Sequence, residues 1–374
     1  MTGTRAVARP RRTTARITSA RLTAGVVMAL LAASACSPGA DEQASPTVTQ
    51  AAEATTPKSV PPQPVRPKPK PEPVVWPLTG VRVDGNRLPK RPALAVKIEN
   101  SPESRPHRGL HTADIVWEQV VEGGVSRFVA VYHSKRPDAV GPVRSVRPMD
   151  AATVAPLKGI LAFSGGQNPF IERVRKAGVQ PIIMDDGAPG FWRSSDRYAP
   201  HNVYGSPRSF WKQAKKSRAE RPPAQFDHAA KRGEGTAART GRRARVADVR
   251  LSDLQRTVWR WKPKQQAYAR SDGGARSISS GRQITARNVV VLSVAVRNTR
   301  FRDPGGAPVP ETRMVGGGRG VLLADGRAVS VRWRKEGPRQ RIELERANGK
   351  PAELEPGNVW IELVPRGTGS WRVR

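Results

Sequence analysis

The chain has 374 residues, with 65 Lys and Arg against 31 Asp and Glu, a formal net charge of +34 and 37% hydrophobic residues. This length predicts about two domains, and the apolar content excludes a wholly disordered chain. The single cysteine excludes an intramolecular disulfide framework and a cysteine-rich zinc site. The charge predicts salt-dependent attraction to phosphate polymers, although the excess of Arg beside Ala, Gly and Pro also indicates a compositional bias from GC-rich coding.

The N-terminus has the pattern of an export signal. Six arginines and no acidic residue precede an apolar run at 22–35, which is too short for a membrane span. The run ends Ala33-Ser34-Ala35-Cys36, and small residues before a cysteine are what signal peptidases for bacterial lipoproteins accept. We therefore expect a signal peptide over residues 1–35 and lipidation of Cys36. Ordinary cleavage to a soluble secreted protein is the alternative, and Arg11-Arg12 also permits a twin-arginine signal.

Residues 36–75 form a predicted tether after the cysteine. The stretch 61–77 reads PPQPVRPKPKPEPVVWP, in which proline removes amide donors and fixes φ. Such a segment favours polyproline II and acts as a semi-rigid spacer. It would hold a folded domain away from a membrane surface, or serve as a passive linker.

Residues 76–205 contain the short apolar runs of a mixed α/β domain. Helical spacing at 169–177 accompanies them, and Glu122-Gly123-Gly124 predicts a hairpin because glycine supplies the positive φ of a tight turn. The predicted strands are 93–98, 114–121, 125–132, 159–163 and 180–184. This pattern predicts an α+β fold for the N-terminal domain.

Polar motifs between these runs follow a recognisable order. They are Pro77-Leu78-Thr79-Gly80, Ala95-Val96-Lys97-Ile98-Glu99-Asn100, Arg105-Pro106-His107-Arg108-Gly109-Leu110, Ala113-Asp114-Ile115-Val116-Trp117-Glu118, Glu122-Gly123-Gly124-Val125-Ser126-Arg127-Phe128, Gly141-Pro142-Val143-Arg144-Ser145-Val146-Arg147, Ser164-Gly165-Gly166 and His201-Asn202-Val203-Tyr204. This series resembles the YerB-like family of bacterial lipoproteins, which carries a domain of unknown function.

The resemblance covers most of residues 76–205 and, more loosely, 246–365. His107 replaces the family's usual Gln and Trp117 its usual Tyr. The resemblance implies an exported, membrane-anchored protein in two parts, and it implies no reaction.

Arginines beside glycines and small residues predict an anion site. The planar guanidinium fork suits carboxylate and phosphate oxygens, and bare backbone at Ser164-Gly165-Gly166 can approach a ligand. A peptide carboxylate, a sugar acid or a wall phosphate would fit. Alternatively, the arginines pair with Asp114, Glu118, Glu122 and Asp196 and fix turns. The predicted ligand-binding residues are Arg105, Glu118, Glu122, Arg127, Arg144, Ser145, Arg147, Ser164, Gly165, Gly166, His201 and Asn202.

Catalytic and metal motifs are missing from the sequence. GxSxG and HExxH strings do not occur, and the GGGRG string at 316–320 is not a nucleotide-binding loop but predicts a flexible turn before a strand. In a hydrolase, Glu118 or Glu122 would serve as acid or base, and Ser145 or Ser164 as nucleophile with His201 as base. We assign no catalytic residue, cofactor or metal.

The remainder divides into a connector and a second domain. Residues 206–250 are basic, with a short predicted helix at 209–218 and a solvated, partly disordered loop at 231–245. This loop is either a contact for acidic wall polymer or lipid headgroups or a solvated surface insertion. Residues 251–374 predict a β-rich domain with strands at 258–261, 266–270, 288–296, 320–323, 329–333, 340–344 and 359–364. Its Trp259, Trp261 and Trp333 indicate core packing or a sugar-stacking platform.

These observations predict a lipid-anchored protein on the extracytoplasmic face of the cell membrane. It would recognise an anionic envelope component, a cell-wall polymer or a wall-synthesis protein. The alternative is an extracytoplasmic hydrolase that uses Glu118 or Glu122. A specific nucleic-acid partner is disfavoured, since no helix-turn-helix, RNP or zinc-finger pattern accompanies the charge.

Overall fold

The computed structural model of the protein describes residues 73–374. The predicted signal peptide, the lipidation site at Cys36 and the tether up to residue 72 lie outside the described residues. Within residues 73–374, none of the helices has the length and apolar character needed to cross a membrane.

Strands predominate along the described chain, and the helices are short. The first part contains β1 (Leu94–Glu99), β2 (Ile115–Val120), β3 (Ser126–Tyr132), α1 (Asp150–Val154), β4 (Ile160–Phe163), α2 (Asn168–Lys176), β5 (Gln180–Ile183), β6 (Phe191–Arg193), β7 (Val203–Gly205) and α3 (Pro207–Lys212). The second part contains α4 (Thr236–Thr240), β8 (Arg242–Arg243), β9 (Val246–Arg250), β10 (Arg256–Lys262), β11 (Ala267–Asp272), β12 (Ala275–Arg276), β13 (Ile278–Ser279), β14 (Arg282–Gln283), β15 (Thr285–Ala286), β16 (Asn288–Val294), β17 (Val296–Arg302), β18 (Pro308–Thr312), β19 (Gly316–Ala324), β20 (Arg327–Lys335), β21 (Glu343–Glu345), β22 (Val359–Pro365) and β23 (Ser370–Val373).

One large sheet runs through both parts of the chain. Its strand order is β21-β20-β19-β16-β22-β2-β3-β1-β4-β5, with β8 also paired to β20, which makes 11 strands. Strand β22 lies between β16 and β2 and is parallel to both. Strands predicted for residues 76–205 and for residues 251–374 therefore share a single sheet.

The large sheet has a hydrophobic core on each face. Val129 and Val131 face one core, to which α1, α2 and α4 contribute apolar side chains. Val96 and Phe128 face the other core, against α3 and a 6-stranded sheet of order β12-β11-β10-β9-β23, with β15 paired to β11. Because both faces are covered, central strands such as β3 are apolar along nearly their whole length instead of alternating.

The predicted strands of the first domain are present as β1 to β5, and the predicted helix as α2. The predicted hairpin is confirmed: β2 and β3 are antiparallel, and Gly123 and Gly124 between them have φ of 68° and 74°. The second part is β-rich as predicted, whereas the first part, predicted as mixed α/β, contains three short α-helices and is dominated by strands. The glycine-rich stretch at 316–320, predicted as a turn, opens β19 instead.

The basic connector also differs from its prediction. The loop expected to be disordered at 231–245 carries α4 and β8. The buried carboxylate of Glu355 accepts hydrogen bonds from the amides of Gly233 and Gly235, each at 2.7 Å. Local composition does not reveal this order, because Glu355 is more than 100 residues distant in the sequence.

Candidate anion-binding site

The candidate site lies where parallel strands of the large sheet end. Strands β1, β4 and β5 are parallel neighbours, so their carboxyl ends meet at one edge of the sheet. The segment 142–146 lies between the ends of β1 and β4. The amide of Arg144 donates to Lys97 at 2.9 Å, and the amide of Ser164 donates to the carbonyl of Arg144 at 3.1 Å. This edge is where open sheets with parallel strands commonly bind ligands.

Five charged side chains meet at this edge, and we call them the arginine cluster: Arg127, Arg144, Arg147, Glu99 and Glu122. Arg144 Nε lies 3.1 Å from Glu99 Oε1, and Arg147 Nε donates to Glu122 Oε1 at 2.5 Å. Arg127 lies at the start of β3, the strand that pairs directly with β1. Three guanidinium groups and two carboxylates leave the cluster with an excess of one positive charge.

Arg127 carries that unbalanced charge. Its side chain is buried and donates to the carbonyl of Ser145 at 3.3 Å. Among the residues that the structure describes, no carboxylate oxygen lies within 4.0 Å of it. Burial, together with the neighbouring Arg147 and Arg144, lowers the pKa of Arg127 to about 9.

The predicted Ser164-Gly165-Gly166 stretch follows β4, but its glycines serve close packing. A Cβ on Gly165 would lie 1.8 Å from Asp185 Oδ2, and one on Gly166 would lie 2.6 Å from Val146 Cγ1. The carbonyl of Gly165 accepts from the amide of Val146 at 2.9 Å. These glycines therefore place the serine-bearing segments side by side, and Ser145 Oγ lies 3.4 Å from Ser164 Oγ.

His201 joins the cluster and Asn202 does not. His201 Nδ1 lies 3.1 Å from Glu99 Oε2 and 3.4 Å from the hydroxyl of Ser101. Asn202 accepts from Arg193 at 2.8 Å at the entrance to β7. It therefore supports a hairpin beside the site.

Arg105 and Glu118 belong to a neighbouring group that we call the buried network: Arg105, Glu118, Gln255, Arg270, Asp272 and Glu362. Arg270 Nη2 lies 3.0 and 2.8 Å from the two oxygens of Glu118, and Arg105 Nη2 lies 3.2 Å from Asp272 Oδ1. Asn100, next to Glu99 in the chain, donates to Glu118 at 3.3 Å and so connects the network to the cluster.

A buried ion pair lies beneath the cluster. Lys97 Nζ donates to Asp150 Oδ1 at 2.7 Å, and neither side chain reaches solvent. The same carboxylate accepts from Gln119 at 2.5 Å and from the amide of Arg147 at 2.6 Å. Burial lowers the pKa of Lys97 to about 8. Asp150 therefore fixes the segment that presents Arg147.

The alternative that arginines pair with acids is confirmed in one of its pairs. Arg147 pairs with Glu122, whereas Asp196 pairs with Arg108. Asp114 instead accepts from the amides of His133 and Ser134, at 2.6 and 2.8 Å.

The geometry does not support the hydrolase alternative. Glu118 is fully buried and held by Arg270, and Glu122 is paired with Arg147. His201 contacts Glu99 and Ser101, and among the described residues it makes no hydrogen bond to Ser145 or Ser164, the candidate nucleophiles. Trp259 and Trp333 are buried, so they serve the core rather than a sugar platform.

Several residues that build the site were not predicted. Glu99 lies within the motif 95–100, but the neighbours it has at the end of β1 depend on which strands are parallel. Lys97 and Asp150 lie within apolar stretches, where a charge is a signal of a buried partner. Arg270 and Asp272 are more than 150 residues from Glu118 in the chain, so no local pattern links them to it.

Comparison with known proteins agrees with the two-part organisation. Residues 78–220 match the family described as "Protein of unknown function (DUF3048) N-terminal domain", and residues 247–361 match the corresponding C-terminal domain. A protein of Bacillus subtilis (strain 168) named "Putative lipoprotein YerB" is 27% identical over 298 residues, which cover 77% of this chain and 86% of that protein. The crystal structure of YerB protein from Bacillus subtilis has a TM-score of 0.67 at 24% identity, and the match covers 80% of this chain and 99% of that one. With both domain models matched in order, this chain belongs to the YerB-like family.

Proposed function

We propose that the protein is an exported lipoprotein of the bacterial cell envelope that binds an anionic ligand at the arginine cluster. The export signal and the small residues before Cys36 support lipidation of that cysteine. The name of the Bacillus subtilis relative supports the same anchoring. In this proposal the lipid holds the folded part on the extracytoplasmic face of the cell membrane.

The unpaired charge of Arg127 is the observation that carries the binding proposal. A buried cation beside two further arginines is unfavourable unless an anion compensates it. The two carboxylates of the cluster are already engaged with Arg144 and Arg147. A bound carboxylate or phosphate would supply the missing negative charge.

Two side chains of the site give a ligand access to it. The side chains of Arg144 and His201 are 22% and 25% exposed, and both contact Glu99. A ligand oxygen that contacts Arg144 also comes close to the buried positive charge of Arg127. Guanidinium groups bind carboxylate and phosphate oxygens through two parallel hydrogen bonds, which favours a compact oxyanion over a neutral sugar.

Binding is tested with three probes of the expected chemistry: alanyl-alanine, glucuronate and inorganic phosphate, titrated by calorimetry into the full-length chain carrying Cys36→Ser. We expect at least one probe to bind, and Arg144→Gln to weaken it at least tenfold. Arg175→Gln on α2, an exposed arginine paired with Glu172, is the control and should leave the affinity unchanged. Equal affinities in wild type and Arg144→Gln would contradict the proposal.

Anchoring is tested by the intact mass of the mature N-terminal peptide from membrane and medium fractions. A diacylglyceryl adduct on Cys36 in the membrane fraction is the expected result. An unmodified peptide in the medium would show a secreted protein instead. An unprocessed N-terminus would contradict export.

A further inference from the structure

A second basic surface lies far along the sheet from the arginine cluster. A groove of about 1410 Å³ opens between the outer strands of the large sheet and β23 of the small sheet. The small sheet covers only part of that face, so residues of β19 and β20 remain exposed. The charged residues that line the groove are Arg242, Arg319, Arg332, Arg334, Arg366 and Glu345.

Most of these arginines have no acidic partner. Arg334 is neutralised by Glu336 and Glu343, at 2.7 and 2.9 Å. For the other four arginines, no carboxylate lies within 4.0 Å among residues 73–374. Their contacts are to backbone or to an aromatic ring: Arg366 donates to the carbonyl of Gly317 at 2.5 Å, and Arg319 lies 5.5 Å from the ring centroid of Trp371. The groove therefore presents four unneutralised positive charges.

The strand register makes this concentration of charge unfavourable in the free protein. Arg319 on β19 is directly opposite Arg332 on β20, and the one acidic side chain of the lining, Glu345 on β21, is opposite Arg332 on its other side, which leaves Arg319 with an arginine as its register partner on β20. Like charges at directly opposed positions of an antiparallel pair destabilise the sheet. Anionic groups lying between the two side chains would turn that repulsion into attraction, which indicates a ligand at this position.

The floor of the groove is shaped by glycine. Gly317 shares the exposed face of β19 with Arg319 and adds no side chain there. Gly318 faces the opposite core, where a Cβ would lie 2.6 Å from the carbonyl oxygen of Ser293 and 2.7 Å from Trp333 Nε1. The glycine run thus keeps the strand close to its neighbours and leaves bare backbone beneath the arginines.

The aromatic content distinguishes between kinds of polyanion. Strands of nucleic acid usually bind through aromatic rings that stack on bases. Trp333 is buried, with Nε1 donating to Ser293 at 3.0 Å, and Trp371 is half-buried with the guanidinium of Arg319 over its ring. The lining offers charge without an open stacking face, and its concave shape suits a chain better than a flat bilayer.

We infer that this groove is a binding site for a linear phosphodiester polymer without bases, such as a poly(glycerol phosphate). The site is independent of the arginine cluster and of the ligand proposed there. Counterion release would make the binding strongly salt-dependent.

The test uses the full-length chain carrying Cys36→Ser, titrated with poly(glycerol phosphate) at several salt concentrations. Arg319→Gln/Arg332→Gln should weaken binding about tenfold and reduce the slope of log K against log salt by about 1.5, since two phosphate contacts are lost. Arg260→Gln/Arg276→Gln removes the same charge from exposed positions outside the groove and is the matched control. This control should bind as the wild type does.

Parallel titrations use a single-stranded oligonucleotide with the same number of phosphates and phosphatidylglycerol vesicles. Weaker binding of both than of the polymer supports the inference. Equal losses in the two double variants would overturn it, because the effect would be one of net charge. Tighter binding of the oligonucleotide or of the vesicles would overturn it in favour of nucleic acid or a membrane surface. Arg144→Gln should not affect polymer binding, so failure at one site is distinguishable from failure at the other.

Discussion

Glu118 and Glu362 lie directly opposite each other on the parallel strands β2 and β22, and both are fully buried. Arg270 forms an ion pair with Glu118, while Glu362 accepts from Trp259 Nε1 at 2.8 Å. Burial and the charge of Glu118 raise the pKa of Glu362 well above its usual value. Glu118 is thus an ion-paired carboxylate, and Glu362 is a protonated, neutral carboxylic acid.

This asymmetry predicts opposite effects of two equivalent substitutions. A raised pKa contributes stability below the unfolded-state value, and that stability is lost as pH rises through the folded-state value. Glutamine stays neutral at every pH, so Glu362→Gln avoids this loss of stability. It should raise the free energy of unfolding at pH 8 by about 1 kcal/mol. Glu118→Gln removes one of the two ion-pair partners of Arg270, the other being Asp272 at 2.7 Å, and should lower it by roughly 1–3 kcal/mol. Urea unfolding of both variants checks this, and equal effects would contradict the assignment.

Arg127→Met separates a binding role from a structural role. The methionine keeps apolar packing but removes the unpaired charge, so we expect the free energy of unfolding to rise by about 1 kcal/mol while anion affinity is lost. A purely structural arginine would instead destabilise the protein when replaced. Thermal unfolding in low salt, beside the ligand titration, measures both quantities. Arg175→Met serves as the control for loss of one charge.

The Lys97–Asp150 pair predicts a rescue. Asp150→Asn leaves Lys97 as a buried, unpaired cation and should cost roughly 3–5 kcal/mol of stability. Adding Lys97→Met to that variant removes the unpaired charge and should restore a large part of the loss. Urea midpoints of the two single variants and the double variant form the required cycle. Simple additivity of the two losses would show that the residues do not act as a pair.

His107 predicts a specific dependence on acid. Its Nε2 lies 2.8 Å from the carbonyl oxygen of Glu99, and burial lowers its pKa to about 4. The unfolded chain takes up a proton near pH 6.5, so stability falls as pH drops from about 6.5 to 4, by up to about 1.4 kcal/mol per pH unit. His107→Gln can keep the hydrogen bond to Glu99 and should make this part of the profile shallower; His133 and His228, whose pKa burial also lowers to about 4, account for the dependence that remains. Parallel pH profiles of the two proteins would contradict the assignment.

Local patterns predicted the elements more reliably than their arrangement. The β2–β3 hairpin depends on Glu122-Gly123-Gly124 and on apolar runs within a few residues, and it is present as expected. The position of β22 between β2 and β16 was not predictable, because the register partners Ile115 and Val359 are 244 residues apart and leave no periodic signal. That pairing unites the two parts in one sheet.

In the candidate site, too, the sequence predicted individual residues better than their arrangement. Arg127, Arg144 and Arg147 were identified from their motifs, and the structure brings them together at the carboxyl edge of β1 and β4. Arg105 and Glu118 were identified by the same reasoning, yet they lie in the buried network because Arg270 and Asp272 reach them from the small sheet. Motif order located the region, while tertiary contacts decided which residues share one environment.

The place of β22 has a consequence for the order in which the protein is made. Strand β2 gains its second neighbour only when residues 359–365 are available, long after β2 itself has been synthesised. Until then its backbone groups form an open edge that can pair with another chain. The first part of the chain must therefore wait for the second, and a chaperone would have its greatest effect in that interval. A chain truncated after residue 220 should aggregate rather than fold.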